Sequence, residues 1–165
     1  MKKTILFVLT LCLCLAVFGG SAFAETAATE APAAEAPAAE KTAEELLQAG
    51  REAYSAEDYG KALEYFQLAA DLGNIAGVSG VGYCYYSGCG VEQDYDKAVA
   101  CFTQAAEQGE PYAMFGMGEC FYGGKGVEKD LDKAAEWYRK ALAAGYEPDE
   151  ADKVHLKDVL GDDYQ

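Results

Sequence analysis

The chain has 165 residues, with 28 acidic side chains against 13 basic ones, one histidine and a formal net charge of −15. A surface that acidic repels nucleic acid and anionic lipid, and it suits a basic partner. With His155 as its single histidine and no Gly-x-Ser-x-Gly motif, the chain is poorly supplied for acid–base or nucleophilic catalysis, so a non-enzymatic protein without cofactor is expected.

The first element in chain order is a targeting segment. Lys2 and Lys3 precede an apolar run from Ile5 to Phe18, followed by Gly-Gly-Ser and Ala22-Phe23-Ala24. That order reads as a secretory signal peptide, residues 1–24, cut after Ala24. The apolar run is shorter than the roughly 20 residues of a membrane span; the alternative is an uncleaved anchor. Cleavage implies a secreted, periplasmic or cell-envelope protein with no membrane insertion of the mature chain. It also removes Lys2 and Lys3, which takes the net charge from −15 to −17. Residues 25–41 follow, with no aromatic and no branched aliphatic side chain and with Pro32 and Pro37. They cannot bury enough apolar surface to offset chain entropy, and they read as a disordered Ala/Pro/Glu tether.

Residues 74–109 and 110–145 align without a gap, with fourteen of thirty-six positions identical. A fixed period of this length marks stacked supersecondary units, none of which can bury its apolar face alone. Within the second copy, residues 111–122 carry Met114, Met117 and Phe121 at helical spacing, and residues 130–144 carry Ala134, Tyr138 and Ala141. Gly123-Gly124-Lys125-Gly126-Val127 separates them, which predicts a glycine turn whose valine plugs the core. Asp130 is placed to cap the second helix, and Gly145 to stop it. Gly118 is expected to oppose Ala134 or Ala141, and Gly82 to oppose Ala98 and Ala105, where helix backbones approach closely.

A shortened copy occupies residues 42–73, in which Gly50, Ala62, Phe66 and Ala69 match Gly82, Ala98, Phe102 and Ala105. Its glycine turn is replaced by Ser55-Ala56-Glu57-Asp58, and Thr42 with Glu45 predicts a capping box at its start. Residues 146–165 hold a final helix, Pro148 to Leu160, and a tail; Ala151, Val154, Leu156, Val159 and Leu160 would cover the last apolar face of the array. The expected fold is all-α: a short solenoid of helix-turn-helix repeats with a C-terminal capping helix.

The pattern Gly82, Tyr85, Gly88, Gly90, Val91, Asp94, Lys97, Ala98 resembles the Sel1-like repeat. So does Gly118, Phe121, Gly124, Gly126, Val127, Asp130, Lys133, Ala134, continued by Trp137, Tyr138, Lys140 and Ala141. The copy at 42–73 is more similar to a tetratricopeptide repeat, a relative with a shorter turn. The resemblance implies a right-handed α-solenoid that works as an adaptor or scaffold and binds another protein or peptide. It also implies that a stripe beside the core stripe of the first helices lines a concave groove. Here that stripe holds Leu47, Arg51, Tyr54; Ser79, Tyr83, Tyr86; and Phe115, Glu119, Tyr122, with Tyr112 beside it. Arg51, Tyr54, Tyr83, Tyr86, Tyr112, Phe115, Glu119 and Tyr122 are the candidate partner-binding residues, and Tyr54, Tyr86 and Tyr122 should form a ladder. The same aromatics could instead pack between repeats. An envelope scaffold is the alternative function, and an enzyme acting on cell-wall material a further one.

Four cysteines remain after signal cleavage, and an exported chain with an even count is a disulfide candidate. Cys84 and Cys120 hold equivalent positions in neighbouring repeats, about 10 Å apart, too far for a bridge. Cys101–Cys120 and Cys84–Cys89 are the favoured pairs, with free thiols as the alternative. No metal site is expected, because Cys84 and Cys89 have no histidine near them.

Overall fold

The computed structural model describes residues 41–161, which hold seven helices and no strand. These are α1 (Ala43–Ser55), α2 (Tyr59–Asp71), α3 (Ile75–Ser87), α4 (Tyr95–Ala106), α5 (Pro111–Gly123), α6 (Leu131–Ala143) and α7 (Glu150–Leu160). The expected signal peptide and almost all of the expected tether lie outside the described residues. Consecutive helices pack on one another, and α3 also touches α5, so first helices stack on first helices along the array. Among the described residues no helix is long and apolar enough to cross a membrane.

Local sequence explains where the helices begin. Asp58, Asn74, Asp94, Glu110 and Asp130 each accept a hydrogen bond from the backbone amide three residues on, which satisfies one orphan donor of the first turn. Thr42 and Glu45 form the reciprocal capping box.

The turns inside the two full repeats are built on glycine for two separate reasons. Gly88 and Gly124 end their helices in the left-handed conformation. Gly90 and Gly126 are left-handed too, and they also lie against backbone. A methyl group on Gly90 would sit 2.2 Å from the Tyr59 carbonyl oxygen, and one on Gly126 would sit 2.6 Å from that of Tyr95. Each turn therefore rests on the start of the second helix of the preceding repeat. Val91 and Val127 are half-buried behind it. The shortened copy manages with Glu57 in the left-handed conformation, at φ 62°.

The close approach between helices differs from the glycine-to-alanine contact expected from sequence. A methyl group on Gly118 would fall 2.4 Å from the Tyr138 ring, one on Gly82 2.9 Å from the Phe102 ring, and one on Gly50 2.6 Å from the Phe66 ring. The small residue thus makes room for an aromatic ring of its partner helix. The neighbouring repeat closes on the other side: methyl groups on Gly80 and Gly116 would lie 2.7 and 2.8 Å from Phe66 and Phe102. Each of these two rings is sandwiched between glycines of successive repeats. Tyr138 has no following repeat, and Phe115 approaches it instead, with ring centroids 5.2 Å apart.

The last helix covers the end of the array through Leu156, which is fully buried with Tyr138, Ala141 and Tyr146. Val154, counted among its apolar positions, faces solvent at 65% exposure. One buried leucine and the half-buried Val159 and Leu160 suffice because polar contacts, described next, hold the rest of α7.

Candidate functional site

A groove of about 580 Å³ runs along the first helices, with α7 as its end wall. Its floor includes the edges of the sandwiched rings Phe66 and Phe102, which come from second helices behind it. The sides come from the stripe next to the core. Arg51 and Tyr54 of α1, Tyr83 and Tyr86 of α3, and Tyr112, Phe115 and Glu119 of α5 all line it. Tyr122, the eighth candidate, does not.

The aromatic row is continuous over two repeats and then breaks. Tyr54 meets Tyr83 edge-on at 5.9 Å, and Tyr83 stacks on Tyr86 at 6.4 Å. The expected ladder of equivalent positions is therefore replaced by a zigzag: Tyr54 crosses to Tyr83 of the next repeat, and Tyr83 reaches Tyr86 three residues on along the same helix. Tyr86 is partly buried against Tyr95 and Phe102, and its hydroxyl accepts a hydrogen bond from Lys125 Nζ at 3.0 Å. Burial pushes the Tyr86 phenol up, and the lysine opposes that shift. Tyr122 turns away to the cap: its hydroxyl donates to Asp158 at 2.8 Å and its ring lies 4.8 Å from His155. Tyr83 and Tyr112 remain about half exposed, at 48% and 56%.

At the cap end a polar cluster joins three elements. The Oε1 atom of Glu119 accepts from the Tyr138 hydroxyl at 2.6 Å and lies 2.8 Å from His155 Nδ1. Burial, then the bond to Glu119, pushes the Tyr138 phenol far above its ordinary range. Glu119 therefore tethers α6 and α7 to the groove wall as well as charging it. Tyr146, in the connection between α6 and α7, stacks on Phe115 at 4.4 Å, meets Tyr112 edge-on at 5.0 Å, and donates to Asp152 at 2.6 Å. Its phenol is likewise raised, first by burial and then by that bond.

At this end sequence reasoning found Tyr112, Phe115 and Glu119 and missed the residues around them. Glu110, Tyr146, Asp149, Asp152 and His155 all line it. Glu110 and Asp149 are N-caps, so their residue type already had an explanation in the local backbone. The other three lie beyond the last repeat, where no equivalent position pointed to them.

The four cysteines are free thiols in the structure, so neither expected bridge, Cys101–Cys120 or Cys84–Cys89, is made. Cys101 packs over Gly82 within its own repeat, where its Cβ lies 3.0 Å from the position of a methyl group. Cys84 and Cys120 are fully buried, and burial pushes their thiols up to about 11 and about 12, which keeps them protonated and unreactive. Among the described residues, no group of three His, Cys, Asp or Glu side chains could hold a metal ion.

A family model for the Sel1 repeat matches residues 36–74, 77–110 and 111–146. The chain belongs to the Sel1-repeat family. The first match includes the copy with the shortened turn, so that copy is a Sel1 repeat despite its likeness to the tetratricopeptide form. Among solved structures, the fold is similar to that of a Sel1 repeat protein from Oxalobacter formigenes, with TM-score 0.57 and 22% identity over 74% of this chain and 58% of that one. A protective antigen present in uropathogenic Escherichia coli strains and displaying an SLR fold matches with TM-score 0.56 and 25% identity, over 74% of this chain and 30% of that one. The chain thus spans less than two thirds of the length of either relative. No functionally curated protein matches it. Sel1-repeat proteins generally mediate protein–protein interactions and are typically non-catalytic.

Proposed function

We propose that this chain is an exported, non-catalytic interaction module that captures a protein or peptide segment in its aromatic groove. One observation carries the reading. The repeated glycines and alanines close the core, whereas the row beside them, which varies between copies at two of its three positions, lines an open groove with half-exposed tyrosines. Tyrosine gives contact area at low entropic cost and one hydrogen-bonding tip, which suits recognition of a segment rather than turnover of a small molecule. Seven of the eight candidates legible in the sequence, all but Tyr122, remain the proposed contacts. The Sel1 membership supports a binding role in general, and the lysine-led apolar run with its small-residue cleavage signature supports secretion or residence in the cell envelope.

The test is capture by the mature chain against a Tyr83→Ala/Tyr112→Ala variant. Both side chains are half exposed, so the melting temperature should hold while retention of the partner falls at least about tenfold, as truncating central aromatic anchors does. Undiminished capture at an unchanged melting temperature would remove the groove from the function and leave a scaffold acting through its end surfaces.

A further inference from the structure

The groove is polar along its length, and its polarity specifies what it holds. Among the described residues lining it, Arg51 is the one lysine or arginine, at the α1 end, while the acids Glu110, Glu119, Asp149 and Asp152 all stand at the cap end. Glu119 already has His155 beside it and a share of the field of Lys125. The other three line the groove with Tyr112, whose ring is 56% exposed and rests on the buried stacked pair Tyr146 and Phe115. Tyr146 is stacked on Phe115 and edge-on to Tyr112, and its hydroxyl is bonded to Asp152. Asp149 and Asp152 form a capping box, and Glu110 caps α5 two residues before Tyr112. Backbone amides and the Tyr146 hydroxyl donate to them, and such neutral donors orient a carboxylate without cancelling its charge.

We propose that the cap end of the groove is a subsite for one basic side chain, preferentially arginine, of the bound protein segment. A guanidinium is the group that both features fit: its flat face lies on an aromatic ring, and its edge donates in a fork to carboxylates. Lysine meets the charge but not the planar stacking. The polarity also orients the segment, with its basic residue toward α7 and its neutral or acidic portion toward Arg51. In the chain's own tether Lys41 lies over the Tyr65 ring, and residues 25–40 before it carry Glu25, Glu30, Glu35 and Glu40 and no lysine or arginine, the wrong sign for this subsite. The inference rests on the groove reading above, and the experiment separates the two.

A random nonapeptide display library is selected on the full mature chain and counter-selected on the Tyr83→Ala/Tyr112→Ala variant, so that only groove-dependent peptides remain. The expected result is enrichment of arginine at one fixed position. Fluorescence polarisation with a selected peptide should then show about tenfold weaker binding when that arginine becomes glutamine, as loss of a stacked, paired cation does. Glu110→Gln/Asp149→Ser keeps acceptors at both N-caps, so the fold survives and is checked by melting. In that variant the arginine preference should disappear while the glutamine peptide binds as before. Groove-dependent peptides without a basic residue, or with an acidic one at the fixed position, overturn the subsite and leave the groove standing. Tight binding of a synthetic peptide of residues 25–40 overturns it as well. If no groove-dependent peptide is recovered, the groove reading falls and the subsite with it.

Discussion

Two rows of side chains run side by side along the first helices, and they obey different rules. The inner row is Gly50, Gly82 and Gly118, one residue type in three copies, each facing an aromatic ring at under 3 Å from where a methyl group would be. The outer row varies at two of its three positions, Leu47, Ser79, Phe115 and Arg51, Tyr83, Glu119, and keeps tyrosine at the third, Tyr54, Tyr86, Tyr122. Stacking fixes the inner row, because every repeat must meet its neighbour at the same distance. In the outer row Leu47, Ser79 and Phe115 are buried in the stack, and the position of Arg51, Tyr83 and Glu119 is the one that varies, lines the groove and is not buried, so it is the one free to carry chemistry. The contrast between repeated seam and varied groove is what the following variants break or sharpen.

The largest effect is expected inside the seam. Gly90→Ala adds a left-handed penalty to an overlap with the Tyr59 backbone, whereas Gly73→Ala, also left-handed, has nothing within 4 Å. Thermal or denaturant unfolding should show a loss of about 3 kcal/mol for the first against about 1 kcal/mol for the second. Equal losses would mean that backbone conformation alone, and not the contact between repeats, keeps the glycine. Gly118→Ala belongs with the costly class, because the Tyr138 ring behind it is held by Phe115 and by Glu119 and has little room to retreat.

A smaller loss is expected where seam and groove share an atom. Tyr138 stands at the position of Phe66 and Phe102 but carries a hydroxyl bonded to Glu119. Tyr138→Phe keeps the ring and removes the bond, which should cost about 2 kcal/mol, the value of a hydrogen bond to a charged group. The pH dependence has a definite sign. A phenol raised in the folded state contributes stability that is fully present below its unfolded value, about 10, and is lost as pH rises above it. Both Tyr138 and Tyr146 are raised. Phenolate absorbance should therefore show these rings ionising only as the chain unfolds in alkali, and Tyr138→Phe should make the alkaline loss shallower. An unchanged alkaline profile would show that the folded state, through burial and Glu119 together, does not raise this phenol.

The fold is largely legible in the sequence because repetition exposes it: two copies at a fixed period locate turns, caps and core together. The glycines mark close contacts, but the sequence does not name the group they meet. Helical spacing shows that Gly118 and Ala134 share a seam, but not that the ring of Tyr138 fills the space between them. The groove is half legible for the same reason. Arg51, Tyr54, Tyr83 and Tyr86 lie within the repeats, and period alone places them in one row. Glu110 and Asp149 hide behind their capping roles, and Tyr146, Asp152 and His155 lie past the last copy. Tyr122 leaves the row because its equivalence to Tyr86 ends where α7 supplies Asp158 and His155. Internal symmetry predicts a position only as long as its neighbours are also repeated.

The smallest expected effect lies on the outer surface of the second helices, where the repetition is polar rather than apolar. Asp58, Asp94 and Asp130 pair with Lys61, Lys97 and Lys133 at 3.2, 3.1 and 3.2 Å, in the first turns of α2, α4 and α6. The carboxyls of Asp94 and Asp130 are held below their ordinary value, first by the backbone amide of that lysine and only then by its side chain. A depressed carboxyl contributes stability that is present above its unfolded value, near 3.9, and lost as pH falls through the lower folded value. If the amide dominates, Lys97→Met should leave both the melting temperature and its acid dependence nearly unchanged, as expected of exposed ion pairs. Asp94→Ala removes the cap itself and should lower the melting temperature by roughly 4 °C at neutral pH and flatten its fall below pH 4. The reverse ranking would make the lysine the reason for the repeated Asp-x-x-Lys, and the caps would then be secondary.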